Sequence, residues 1–101
     1  MPAKIEFDWD SAKAAANIVK HGVAFEEAMT IFADPFALSQ LDDAHGSTVE
    51  RWITIGLSRA TKLLLVVHTH VELSQDHVYI RIISARKPTK NERRDYEQTP
   101  A

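Results

Sequence analysis

Six basic residues lie in one short segment of the chain, Val78 to Tyr96. They are Arg81, Arg86, Lys87, Lys90, Arg93 and Arg94, against only Glu92 and Asp95 among the acids. The segment carries four net positive charges while the whole chain has a formal net charge of -2, so the remainder carries about -6. Cations gathered in this way favour binding of a polyanion, and the planar arginine fork is suited to gripping phosphate.

A strand followed by a helix is predicted to position these cations. Val78 to Ile83 is rich in β-branched and aromatic residues, which favour a strand. Pro88 disfavours helical geometry in the residue before it, so the strand and the helix are separated there. Thr89 stands three residues ahead of Glu92, which is the spacing of a capping box. Arg81 and Arg86 therefore project from, or just beyond, a rigid strand.

Two helices are predicted near the N-terminus, after a short strand from Ile5 to Trp9. Between Ser11 and His21, apolar residues recur at helical spacing, with Asp10 as N-cap and Gly22 as C-cap. A second helix is predicted from about Phe25 to Phe32, because its apolar residues also share one face and Asp34-Pro35 stops it.

The rest of the chain is predicted to form strands. These are Phe36–Leu41, Arg51–Leu57 and Lys62–Val71, with a polar loop over Asp42–Thr48 and a connection over Glu72–Asp76. Lys62–Val71 is almost wholly apolar or β-branched, which is typical of a central strand covered on both sides. The sequence therefore predicts an α+β domain in which an antiparallel sheet carries two N-terminal helices and a basic C-terminal helix.

Composition limits the class of protein. The chain has 101 residues, of which 45% are hydrophobic, so residues 1–101 are expected to form one domain with its own core. The absence of cysteine excludes disulfides and thiolate metal sites, and it fits a reducing cytoplasm. The sequence contains no apolar run long enough to span a membrane and no apolar signal core near its N-terminus.

Four blocks of the sequence carry a resemblance to a known family. They are FDWDSAKAAANIVKHGVAFEEAMTIFADP, ERWITIGLS, LLLVVHT and IRIISARKPTKNERRDYE. Together they cover roughly Phe7 to Glu97, and they resemble the successive blocks of BrnT-type toxins. The chain departs from the family at Ala24, where serine is frequent, and at Pro88, where a small residue is frequent.

The resemblance implies a function as well as a fold. BrnT-type proteins are toxins of type II toxin–antitoxin pairs that resemble the RelE-like ribonucleases and cleave RNA without a metal or other cofactor. Their partner is a BrnA-type antitoxin with a ribbon–helix–helix part, and operator DNA is reached only through that partner. An RNA substrate, inhibition of translation and a cytoplasmic location are therefore expected, with no membrane contact.

Metal-free cleavage would proceed by attack of a ribose 2′-hydroxyl on its own phosphate, helped by a general base, a general acid and fixed cations. The residues proposed for catalysis are Arg81, Arg86, Glu92 and Tyr96. Those proposed to bind RNA are Arg51, Lys87, Lys90, Arg93 and Arg94. An acidic or amphipathic antitoxin segment is expected to cover the Arg81–Arg94 surface.

Several of these assignments have structural alternatives. The position of Glu92 favours helix capping over a role as general base. The Tyr96 ring could instead pack against the sheet, and Arg51 is equally suited to an ion pair with a neighbouring acid. His68, His70 and His77 are not expected to bind a metal, since no carboxylate or cysteine stands at ligand spacing. The competing function is a non-catalytic binding module that acts with a DNA-binding partner as a co-repressor.

Overall fold

A six-stranded sheet organises the chain in the computed structural model, which describes residues 4–42 and 50–98. The strands are β1 (Lys4–Asp8), β2 (Leu38–Asp42), β3 (Arg51–Leu57), β4 (Leu63–His68), β5 (Val71–Ser74) and β6 (His77–Arg86). The helices are α1 (Ser11–His21), α2 (Phe25–Ala28), a 3₁₀ helix (Met29–Ala33) and α3 (Lys90–Glu97). The polar loop predicted over Asp42–Thr48 lies outside the described residues except for Asp42, which is the last residue of β2.

The sheet is mixed, so the prediction of an antiparallel sheet is wrong in one respect. The strand order is β1-β6-β4-β3-β2, with β5 pairing the first half of β6. β1 pairs β6 in parallel, with Ile5 opposite Val78 and Asp8 opposite Arg81. Residues 9–76 lie between these two strands in the chain, so local sequence patterns do not reveal their pairing.

α1 has the predicted limits and caps. The Asp10 carboxylate accepts hydrogen bonds from the backbone N–H groups of Ala12, at 2.8 Å, and Lys13, at 3.1 Å. Gly22 adopts a left-handed conformation with a φ of 71°, and its N–H donates to the carbonyl oxygen of Ile18. Both ends of the helix are therefore satisfied locally, which is why its bounds can be read from the sequence.

The second helix differs from its prediction. Only Phe25–Ala28 is α-helical, and the chain then tightens into the 3₁₀ helix Met29–Ala33. Ala24, at the N-cap, offers no side-chain oxygen to the first turn. Four α-helical residues are too few to be stable alone, so burial of Phe25 and Ile31, both 0% exposed, holds the segment. Within the described chain, no helix combines the length and apolarity needed to cross a bilayer.

The long strand predicted over Lys62–Val71 is divided into two. β4 ends at His68, and β5 begins at Val71 and extends into the segment predicted as a connection. β6 is longer than predicted, reaching Arg86, and pairs with β5 and then with β4. β4 is nevertheless the covered central strand that its composition predicted, since five of its six residues are buried.

The sheet has two differently covered faces. On one, here called the helix face, Phe25, Ala28 and Ile31 pack against Leu64 and Ile82. On the other, here called the α3 face, a smaller cluster of Ile55, Leu63 and Leu65 packs with Tyr96 of α3. Most of the apolar burial therefore lies on the helix face, and α3 itself has no buried residue.

A buried asparagine joins α1 to the end of β6. The Asn17 side chain donates to the carbonyl oxygens of Ala85, at 2.9 Å, and Val23, at 2.8 Å. Its Oδ1 accepts from the backbone N–H of Ala85 at 3.1 Å. β1 pairs β6 only as far as Arg81, so the amide of Asn17 serves Ala85 as a neighbouring strand would.

His68 is buried beneath the 3₁₀ helix with both ring nitrogens bonded. Its Nε2 lies 2.7 Å from Thr54 Oγ1, and its Nδ1 lies 2.8 Å from the carbonyl oxygen of Thr69. The Phe32 ring meets the imidazole edge-on, with centroids 4.8 Å apart. Burial lowers the pKa of His68 from 6.5 to about 4, so the ring is neutral in the folded protein at neutral pH.

We expect His68 to make the protein less stable in mild acid. The unfolded chain takes up a proton near pH 6.5 and the folded protein only near pH 4, so the contribution to stability is complete above pH 6.5. Between those values the free energy of unfolding should fall by about 3 kcal/mol as the pH falls. Urea denaturation from pH 8 to pH 4 measures this, and His68→Gln should remove that share of the acid loss. The exposed His70→Gln is the control, and an equally steep pH dependence in His68→Gln would contradict the assignment.

Candidate active site

A bulge in β6 puts two arginines on the same side of the sheet. Residues five apart in a regular strand point to opposite faces. Between β4 and β6, however, the register shifts, with Val67 opposite Ser84 but His68 opposite Ile82. One residue of β6 is therefore extra, and Ile82 and Ala85, three apart, both lie in the helix-face core. Arg81 and Arg86 consequently both lie on the α3 face.

Arg81 is held by a carboxylate from the neighbouring strand. Its Nη1 donates to Asp8 Oδ1, and the Tyr79 hydroxyl donates to Asp8 Oδ2 at 2.7 Å. The hydrogen bond to Asp8 raises the pKa of Tyr79. Tyr79 and Asp8 in turn raise the pKa of Arg81. The Arg81 side chain is 43% exposed, so its remaining N–H groups can reach a ligand from solvent.

Arg86 is held by the cap of α3. Its Nη1 and Nη2 donate to Glu92 Oε1 and Oε2 at 2.8 and 3.0 Å, a two-pronged pair. Glu92 Oε1 also accepts from the backbone N–H of Thr89 at 2.8 Å, and Thr89 Oγ1 accepts from the N–H of Glu92. The predicted capping box is thus confirmed. The hydrogen bonds from Arg86 hold the pKa of Glu92 at about 2.

Tyr96 faces the sheet at the other end of α3. Its ring packs against the α3-face cluster, and its hydroxyl donates to Asp34 Oδ2 at 2.6 Å. Asp34 also accepts from the backbone N–H groups of Leu57 and Phe36, at 2.8 and 2.9 Å. Burial, together with the bond to Asp34, raises the pKa of Tyr96 to about 12, which makes it a weak acid.

The residues predicted to bind RNA occupy exposed positions on or beside α3, with one exception. Lys87, Lys90, Arg93 and Arg94 are all exposed. Arg51 is the first residue of β3, as predicted, and lies opposite Asp42 in the register with β2. The exposed cations thus lie on and just before α3, beside the exposed acids Asp95 and Glu97, while Glu92 and Tyr96 anchor the inner side of the helix.

The four proposed catalytic residues are distributed over three contacts. Arg86 and Glu92 form one pair, Arg81 binds Asp8, and Tyr96 binds Asp34. The sequence reasoning did not find Asp8 or Asp34, although both contact a proposed site residue. Their partners lie 73 and 62 residues away in the chain, so no local spacing signals them.

Comparison with known proteins adds the family. The family described as "Ribonuclease toxin, BrnT, of type II toxin-antitoxin system" matches residues 9–92 of the chain. The chain belongs to the BrnT family. The match includes Arg81, Arg86 and Glu92 and ends before Tyr96, so three of the four proposed catalytic residues lie within the part shared with the BrnT family.

A solved structure of a BrnT protein has the same fold. The crystal structure of the Brucella abortus ribonuclease toxin BrnT superposes with a TM-score of 0.54 at 21% sequence identity. The alignment covers 86% of this chain and 97% of the Brucella chain. No curated protein sequence matched the chain.

The Arg86–Glu92 pair should contribute to stability above the ordinary pKa of a glutamate. Glu92→Gln removes the charge, so we expect it to lower the free energy of unfolding by about 1 kcal/mol at pH 7, a value discounted for partial exposure. Because the pKa of Glu92 is lowered from 4.5 to about 2, this difference should shrink as the pH falls through that interval. Urea denaturation at pH 7 and pH 2 tests this, with Glu97→Gln on the same helix as control. A difference that persists unchanged at pH 2 would contradict an ionic origin.

Proposed function

We propose that this protein is a metal-independent endoribonuclease toxin that cuts RNA, inhibits translation in the cytoplasm and is neutralised by a BrnA-type antitoxin. Membership of a family of ribonuclease toxins supports this reading, as does one feature of the fold. The bulge in β6 gives Arg81 and Arg86 a common face. The proposed kinship with RelE-like ribonucleases is part of the same hypothesis.

In this proposal Arg81 and Arg86 stabilise the phosphate as negative charge develops on its oxygens. Arginine suits the task because its charge is permanent and its donors are fixed in a plane. Asp8 and Glu92 restrict the two guanidinium groups before RNA binds, which reduces the reorganisation needed during reaction. Glu92 acts through Arg86, since both of its carboxylate oxygens accept bonds from that side chain.

Tyr96 has a narrower proposed role. Its hydroxyl hydrogen is directed to Asp34 and its pKa of about 12 makes proton donation at neutral pH unfavourable. The raised pKa therefore favours a role in fixing the end of α3, unless RNA displaces Asp34 from the hydroxyl. The residues proposed to contact the RNA backbone are Arg51 and the exposed cations on or beside α3, namely Lys87, Lys90, Arg93 and Arg94.

A second function, a non-catalytic binding module acting as a co-repressor with its DNA-binding partner, has one observation in its favour. Every side chain proposed for catalysis is already bonded to a group of the same protein. The exposed cations lie instead on or beside α3, where they would suffice to hold an acidic partner. They are Lys87, Lys90, Arg93 and Arg94.

The two functions differ in whether purified protein cuts RNA in the presence of a chelator. We expect cleavage by the parent, with loss of at least about a hundredfold in rate in the Arg81→Ala, Arg86→Ala double variant because both phosphate cations are gone. Circular dichroism checks that the fold survives. Arg59→Ala, an exposed arginine in the turn between β3 and β4, is the matched control and should cleave normally. RNA that stays intact at high protein concentration, with and without ribosomes, would favour the binding module.

The antitoxin is proposed to cover the Arg81–Arg94 surface, so that one acidic or amphipathic segment neutralises the cations and blocks RNA. Operator DNA would then be bound only through the antitoxin. Hydrogen exchange of the complex should show protection along α3 and the second half of β6. Protection limited to the β1 edge would contradict this placement.

A further inference from the structure

A separate hollow opens on the helix face, away from the arginine pairs. Its volume is about 230 Å³. Ile80 and His68, each 2% exposed, lie at its base, while Ser39 and His70 are exposed at its margin. Trp52 forms part of the wall. None of these residues belongs to the proposed active site.

The polar groups at this hollow form a hydrogen-bonded chain from its margin to its base. Ser39 Oγ lies 2.7 Å from Thr54 Oγ1, which lies 2.7 Å from His68 Nε2. Thr54 is 1% exposed, so its bond to His68 is shielded from water. The two hydroxyls and the imidazole therefore act as one unit whose direction can be worked out from its inner end.

That direction is fixed by the carbonyl group of Thr69. A carbonyl oxygen only accepts, so the 2.8 Å contact requires His68 Nδ1 to carry the hydrogen. With the ring neutral, Nε2 is bare and accepts from Thr54. Thr54 thereby uses its one hydrogen, and Ser39 must donate to it. Ser39 Oγ is left with lone pairs only, so it presents an acceptor to anything that enters the hollow.

The walls suit a flat ring. The rings of Trp52 and His70 lie with centroids 6.2 Å apart and planes inclined at 54°. Aromatic surfaces of this kind bind nucleobases by stacking, with little dependence on sequence. An α-helix, about 10 Å across, is too wide for a hollow of this volume, whereas a single base is of suitable size.

We propose that this hollow binds one nucleobase of RNA, stacked beside Trp52, whose exocyclic amino group donates to Ser39 Oγ. Adenine, cytosine and guanine carry such a group. The inference rests on the proposed function only in that RNA supplies the base, and it makes Ser39 a specificity-determining residue. The site would select one base of the bound RNA without taking part in the reaction.

Trp52 provides a direct probe of this site. In a Trp9→Phe background it is the single tryptophan, so its fluorescence can be titrated with nucleosides. Adenosine and purine riboside differ by the exocyclic amino group alone. We expect both to quench Trp52, with adenosine binding about three- to tenfold more tightly, which is the worth of one hydrogen bond.

Substitution at Ser39 separates the hydrogen bond from stacking. Ser39→Ala should weaken adenosine to the level of purine riboside and leave purine riboside unchanged. Gln40→Ala, the next residue along β2 and directed to the opposite face, is the matched control and should alter neither affinity. Loss of adenosine preference in Ser39→Ala alone would support the proposal.

Two results would overturn it: no quenching by millimolar adenosine, or equal affinities for the two nucleosides in the parent protein. The nucleoside titration does not depend on cleavage. If the protein binds adenosine but leaves RNA intact, the proposed base site therefore stands and the proposed nuclease function fails. If it cleaves RNA without binding adenosine, the nuclease function stands and the base site fails.

Discussion

One extra residue in β6 determines which way its arginines point. Without the bulge, Arg81 and Arg86 would lie on opposite faces of the sheet, since side chains alternate along a strand. With it, Ile82 and Ala85 both reach the helix-face core, and the two guanidinium groups share the α3 face. The packing of apolar residues on one face thus sets the placement of charge on the other.

The end of β6 needs support because β1 stops short of it. Asn17 provides that support from α1 by bonding both backbone groups of Ala85, next to Arg86. Leaving those groups buried and unpaired would cost about 1–3 kcal/mol each. The amide also binds Val23, so the turn after α1 is held by the same side chain. A single buried polar residue therefore joins the helical layer to the strand that carries the arginines.

Ion pairing holds the two arginines in place but also offsets their positive charge. Each lies against a carboxylate, Asp8 for Arg81 and Glu92 for Arg86, so the pairs attract distant RNA only weakly. In the proposed function, long-range attraction of RNA falls instead to the exposed cations on and beside α3. A phosphate that bound the two arginines would have to share or displace the carboxylates, which would favour a particular geometry over any polyanion.

The sequence predicted best what is encoded locally. Asp10 and Gly22 define α1, and the spacing of Thr89 and Glu92 defines the start of α3, because caps are satisfied within one turn of the helix. The parallel pairing of β1, the separation of β5 and the bulge were not predicted, because each depends on strands brought together from distant parts of the chain. For the same reason the arginines were identified, but the carboxylate Asp8 was not.

The two faces of the sheet carry different kinds of polar chemistry, and this bears on how an RNA chain would be handled. On the α3 face, ion pairs remain partly exposed, where charge can still act on a phosphate. On the helix face, Thr54 and His68 are buried and neutral, so they can impart only direction, through Ser39. Arg51 and Trp52 are adjacent in β3 and therefore point to opposite faces. A chain whose phosphate lies beside Arg51 can turn its base around the start of this strand towards Trp52, which would couple recognition of a base on one face to placement of a phosphate on the other.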